Sequence, residues 1–242
     1  GSTPTMLNNT INGNQAAIGA GIAFFSSGGT WDGNQVGANH ASGGGGGILI
    51  NAGNPQILNG QLFNNTAVTF GGGFLIQANA APTISNNEIR YNTAANAGAG
   101  VHVAASQPVI RNNTITNNVA AITTTGNPTV ATGYGGGLYL ISAERAVISG
   151  NVIISNAGST AYRGSGGGMY VWGNCSGIQI QFNQVLSNAA TTINSYGEGG
   201  GIYGGPDGAL IQGNIIAGNR TNNAGTTGRG AGLFQYGGAA HY

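Results

Sequence analysis

Lysine is absent from this chain of 242 residues, and only 5% of the residues carry charge. Six arginines stand against two aspartates and three glutamates, a formal net charge of +1. No basic cluster exists to follow a phosphate backbone, so no nucleic acid partner is expected. The single cysteine, Cys175, excludes an internal disulfide and a cysteine-built metal cage. It is expected to serve as a small apolar residue in a turn. No apolar run is long enough to cross a bilayer, and no basic-then-apolar leader opens the chain, so direct membrane insertion is not expected.

What abounds is glycine, with 48 residues, alongside a mean hydropathy near zero. Such a composition suggests a periodic backbone, and alignment of the chain with itself reveals one. A run of small residues precedes an alternating apolar triplet. Examples are Gly45-Gly46-Gly47 before Ile48-Leu49-Ile50, and Gly71-Gly72-Gly73 before Phe74-Leu75-Ile76. The run returns at Gly98, Gly135, Gly166, Gly199 and Gly230.

Between the runs lies an aliphatic residue three before an Asn, repeated five residues later. Five coils carry it in full: Ile84, Asn87, Ile89, Asn92; Ile110, Asn113, Ile115, Asn118; Ile148, Asn151, Ile153, Asn156; Ile180, Asn183, Val185, Asn188; and Ile211, Asn214, Ile216, Asn219. Gly60 replaces the first Asn in one coil.

Short period-two apolar pieces punctuated by Gly and Asn are strand and turn signals. Third glycine and second Asn are always 18 to 20 residues apart, which implies a fixed cross-section. The prediction is an all-β chain folded as one right-handed parallel β-helix of about eight coils, with three short strands per coil. The Asn columns are expected to be structural ladders, each amide bonding those above and below and tolerating a left-handed backbone in the bend. The chain ends at Ala239-Ala240-His241-Tyr242 without a polar cap. A piece of a longer repeat protein, or a module that associates end to end, is therefore expected.

The segments joining the second Asn to the next glycine run lengthen in the later coils, at 119–134, 157–165, 189–198 and 220–229. They should project from one face, where solenoids commonly bind. Within each triplet the middle residue should point outward. That column reads Ala23, Leu49, Leu75, His102, Tyr139, Tyr170, Tyr203, Phe234. The aromatic part of this stripe, with Tyr134, Tyr162 and Tyr196 at the loop ends and Arg163, Glu198 and Arg229 beside them, is the candidate ligand-binding surface. Either the rings line an open groove that stacks on sugars or on a partner chain, or the loops bury them as a second small core. Glu198 and Arg229 occupy equivalent positions in adjacent coils and are expected to form a modest surface ion pair.

The Gly-Gly-small-aliphatic run and the aliphatic-x-x-Asn signature resemble those of the polymorphic outer membrane proteins and related pectate-lyase-like β-helix repeat proteins. Here Ile or Val mostly replaces the Phe of that signature, and these 242 residues hold no membrane barrel of the kind that family carries. The resemblance implies the same fold and hints at surface display. Lyases of this fold use clustered acids, often holding calcium, with an Arg or Lys base. The acids here, Asp32, Glu88, Glu144, Glu198 and Asp207, fall in different coil positions. Glu144 and Asp207 occupy similar turns two coils apart, roughly 10 Å, too far to share an ion. His40, His102 and His241 fall in coils that are not neighbours. No catalytic residue, metal site or cofactor is therefore expected.

The leading expectation is a non-catalytic structural or adhesive module, extracellular or on a bacterial cell surface, within a larger protein or filament. Glycans, another surface protein or further copies of itself would be its partners. The alternative is a carbohydrate-binding or polysaccharide-degrading protein, a lyase or glycoside hydrolase, using Glu144, Glu198, Asp207 and Arg163.

Overall fold

The computed structural model describes residues 1–121, 132–193, 195–223 and 228–236. Within them the chain winds as a parallel β-solenoid of about eight coils, and the same short strands stack coil upon coil. The first sheet runs from Thr5–Leu7 to Leu210–Gln212 and the second from Thr10–Asn12 to Ile215–Ala217, each with eight strands. In both, the middle residue of each three-residue strand points inward. Ile57, Ile84, Ile110, Ile148 and Ile180 therefore stand in direct register, at most 3% exposed. Removing each such side chain from water contributes about 1.5–3 kcal/mol.

Among the described residues four sheets rather than the expected three run along the solenoid, one of them reaching seven of the eight coils. A two- or three-residue strand after the second Asn, such as Thr66–Ala67 between His40–Ala41 and Thr93–Ala94, builds the extra one. It is too short to display a period of two. The fourth sheet runs from Ile22–Phe25 to Leu233–Phe234, and its first and third residues bury into the core. A fifth sheet belongs to the later coils alone. It stacks Gly133–Tyr134, Gly164–Ser165, Gly197–Glu198 and Gly228–Arg229, where the enlarged segments rejoin the coil. Residues 122–131, 194 and 224–227 of those segments, and the terminal Ala239-Ala240-His241-Tyr242, lie outside the described residues.

The Asn columns are fully bonded ladders. Asn113 donates from Nδ2 to Asn151 Oδ1 at 3.0 Å and to the Ile84 carbonyl at 3.0 Å. Its own Oδ1 accepts from the Asn87 backbone N–H at 2.9 Å and from Asn87 Nδ2 at 3.1 Å. The second column repeats this through Asn92, Asn118, Asn156, Asn188 and Asn219. At Gly60 only the backbone N–H remains to bond Asn87 Oδ1, so Asn34 finds no side-chain acceptor there and keeps only the bonds to the Met6 and Asp32 carbonyls, the counterparts of those Asn113 makes to Ile84 and Arg111.

One detail corrects the sequence reading. The left-handed residue of each bend is the one before the ladder Asn: Asn112 (φ 55°), Asn117 (φ 53°), Phe182 (φ 55°) and Ser187 (φ 52°) precede Asn113, Asn118, Asn183 and Asn188. The bend turns the ladder amide inward, while the residue before it absorbs the unfavourable φ. The glycine runs divide the labour similarly. The first glycine is left-handed, as at Gly98 (φ 62°) and Gly135 (φ 60°). The third approaches the next coil so closely that a Cβ on Gly100 would stand 2.5 Å from the Gly137 carbonyl oxygen.

Candidate functional site

Alternation along the fourth sheet aims the middle residues outward, and parallel pairing puts His102, Tyr139, Tyr170, Tyr203 and Phe234 in direct register. The rings stack on one another. Centroids are 4.8 Å apart for His102 and Tyr139, 5.2 Å for Tyr139 and Tyr170, 4.5 Å for Tyr170 and Tyr203, and 5.3 Å for Tyr203 and Phe234. The two tyrosine–tyrosine stacks are parallel to within 7°. His102, Tyr170 and Tyr203 are buried, while Tyr139 and Phe234 are half-buried. The faces of the stripe are thus turned to each other, leaving edges and hydroxyls to meet anything outside. Burial raises the phenol pKa values of Tyr139, Tyr170 and Tyr203, so these hydroxyls stay protonated donors.

His102 closes the stack against Phe70, at 4.9 Å. Its Nδ1 has no hydrogen-bond partner, and burial lowers its pKa to about 4 against a partial offset from a hydrogen bond with the Ala97 backbone. It is held as a neutral ring.

Beside the stripe lies a pocket of about 240 Å³ lined by Tyr134, Arg163, Tyr170, Tyr196, Glu198 and Tyr203, with Thr132 and Ser165. Six of the ten candidate binding residues meet here. Tyr134 leans on Tyr170 at 4.9 Å. The Tyr196 hydroxyl donates to Glu198 at 2.9 Å. The Arg163 guanidinium lies over the rings of Tyr162 (5.5 Å) and Tyr196 (5.8 Å).

Glu198 and Arg229 pair directly in the fifth sheet, but the expected ion pair is not made. Among the described residues the only ion pair is Arg90–Glu88, at 3.0 Å. Glu198 spends its carboxylate on the nearer Tyr196 hydroxyl, and the exposed Arg229 lies outside the pocket lining.

The remaining acids stay apart. Register places Glu144, Ser176 and Asp207 at equivalent turns of successive coils, so a serine separates the two carboxylates. Asn174 Nδ2 donates to Glu144 Oε1. Cys175 is buried in that turn, its thiol pKa raised by burial. Among the described residues no group of three His, Cys, Asp or Glu side chains is placed to hold a metal, and no helix is long and apolar enough to cross a membrane.

The family model described as the right handed beta helix region matches residues 1–132, more than half of the chain. The chain belongs to the right-handed β-helix family. Searches of curated proteins and of solved structures return no match.

A second cluster on this β-helix was not visible in the sequence. The fourth residue of each fourth-sheet strand also points outward, and pairing puts Ile141 beside Trp172. Extended by the registers of Tyr170, Tyr203 and Phe234, the column continues through Gly205 to Tyr236. Trp172 and Tyr236 are exposed, and their ring centroids lie 5.9 Å apart across Gly205. The signal was two aromatics at one repeat position with a glycine between, but it reads only after that register is known.

Proposed function

We propose that this β-helix is a non-catalytic structural and adhesive module, extracellular or on a cell surface, whose contact point is the pocket at Tyr134, Arg163, Tyr196 and Glu198. The observation that carries this reading is the gathering of an exposed arginine, a carboxylate and several phenols at the edge of a rigid sheet, in a place built only by the coils with enlarged loops. A rigid platform holds polar groups in fixed geometry, which recognition requires and which a mobile loop supplies less well. Arg163 offers a planar donor fork to a carboxylate or sulfate, while Glu198 and the phenols suit sugar hydroxyls. An acidic glycan on a neighbouring surface fits this set.

A glycan array probed with the whole chain tests the reading. Binding to carboxylated or sulfated glycans, lost in Arg163→Ala, is the expected result, and binding that survives that substitution overturns the site. Turnover of polyuronates, followed by release of unsaturated ends and abolished in Glu198→Gln, would overturn the non-catalytic assignment.

A further inference from the structure

We infer that Tyr170 and Tyr203 form an oxidative modification site, where two one-electron oxidations join the rings ortho to ortho as dityrosine and staple neighbouring coils together. The oxidant class is a haem peroxidase working on hydrogen peroxide. Strand register, ring stacking and the make-up of the column carry the inference, which does not depend on what the arginine pocket binds.

Tyr170, in the strand Met169–Trp172, pairs in register with Tyr203, in the strand Ile202–Tyr203. Neighbouring parallel strands lie about 4.8 Å apart, and both side chains leave the same face of the sheet. The rings therefore stay together for as long as the sheet persists, unlike tyrosines that meet by diffusion. Their centroids are 4.5 Å apart with planes within 7°, closer than the 5.2 Å between Tyr139 and Tyr170. That separation is close to the one between two phenol rings joined by a single bond beside their hydroxyls. Turning each ring about its Cβ–Cγ bond, a broad torsion in tyrosine, brings those carbons edge to edge without moving the backbone.

The column limits the reaction. His102 closes one end of the stack and Phe234 the other, and neither carries a phenol. The stack holds three phenols, enough for a single pair. Tyr134 approaches Tyr170 at 4.9 Å but is tilted by 58°, so it lacks the parallel alignment of Tyr203.

Burial keeps both phenols protonated until they are oxidised. Each then loses one electron to the oxidant and its hydroxyl proton to water. The hydroxyls and edges are the parts turned outward, and electron transfer needs proximity rather than contact with a ring face. The two phenoxyl radicals form one carbon–carbon bond, and the ortho hydrogen of each ring passes through water to its oxygen, restoring both phenols. Hydrogen peroxide takes up the two electrons and two protons and leaves as two waters, so the chain loses two hydrogens. The product is an internal bridge between coils, which a chain with one cysteine cannot make as a disulfide.

The experiment treats the whole folded chain, dilute, with a haem peroxidase and hydrogen peroxide, isolates the monomer and cleaves it after Arg and Glu. Tyr170 then lies in residues 164–198, Tyr203 in residues 199–220, and Tyr134 and Tyr139 in residues 112–144. The expected product joins 164–198 to 199–220, two hydrogens lighter than their sum and with dityrosine fluorescence. It should fall at least tenfold in Tyr170→Phe and in Tyr203→Phe, which keep the ring, and persist in Tyr91→Phe, whose ring is exposed elsewhere. Far-UV circular dichroism shows that each variant retains the fold. Fragments that stay separate in the folded monomer overturn the proposal, as does preferential joining of 164–198 to 112–144. A joined product that survives Tyr170→Phe places the bond on Tyr196 and overturns it equally.

Discussion

The phenol ring of Tyr170 lies flat on that of Tyr203, with centroids 4.5 Å apart and planes within 7°. Both side chains point away from the solenoid core, yet they are only 8% and 6% exposed. An outward column has become a second packed layer, because stacking each ring on the next coil removes its faces from water without help from the main core. The pocket beside it owes its fixed walls to that layer.

Tyr170→Ala should therefore behave as a core truncation, although the residue sits on the outer face. Removing the ring opens both stacks, to Tyr139 at 5.2 Å and to Tyr203. The expected loss is about 3–5 kcal/mol. Tyr170→Phe keeps the ring faces and should cost about 1 kcal/mol or less. Urea unfolding followed by far-UV circular dichroism distinguishes the two.

The Asn ladder should be position-dependent. Asn113→Ala leaves the Asn87 N–H and amide without their acceptor and removes the amide bond to the Ile84 carbonyl, all in the interior. Each orphaned buried group costs about 1–3 kcal/mol, so a loss of about 3 kcal/mol or more is expected. Asn9→Ala, in the first described coil, removes one exposed and one part-buried bond and keeps the backbone N–H bond to Asn34. It should cost less than half as much in the same denaturation experiment.

His102 should make stability depend on pH. Its folded pKa of about 4 lies below the ordinary 6.5, so the unfolded chain binds the proton more readily. Stability is then fully present above pH 6.5 and falls as the pH drops toward 4. The total loss is on the order of 3 kcal/mol. His102→Leu, which copies its register neighbour Leu75, should flatten that slope. Midpoints of denaturation measured from pH 7 to pH 4 in both proteins decide the matter.

Arg145 occupies a left-handed position, φ 56°, that the next two coils give to Gly177 and Gly208. An L side chain there costs about 1–2 kcal/mol in backbone strain. Arg145→Gly relieves it at the expense of greater freedom in the unfolded chain. The expected net effect is a gain of about 0.5–1 kcal/mol, read as a rise in the thermal midpoint.

The repeating frame was legible because its causes are local. An aliphatic residue such as Ile110, an Asn three positions on, and the same pair again at Ile115 and Asn118 give one inward side chain per strand and one bonded bend between strands. The strand at Thr66–Ala67 escaped notice because two residues cannot display alternation. The left-handed backbone was assigned to the ladder Asn because that residue type favours bends, whereas the geometry that turns Asn113 inward places the positive φ on Asn112.

The candidate site was only partly legible, for a different reason. That Tyr139, Tyr170 and Tyr203 form one outward column follows from counting residues. Whether their faces stay open depends on how the rings tilt and on what leans against them, such as Tyr134 on Tyr170. Glu198 and Arg229 were correctly placed as neighbours, but Tyr196, two residues from Glu198 along the chain, takes the carboxylate first.

The sequence by itself therefore determined the coil, its inward columns and its Asn ladders, since each follows from a fixed spacing and a residue type that suits one backbone conformation. The tertiary structure decided that the tyrosine faces close on one another, that Arg163 and Glu198 share a pocket, and that Trp172 and Tyr236 meet across Gly205. Those contacts join residues from different coils through side-chain packing, and no spacing along a single coil carries that information.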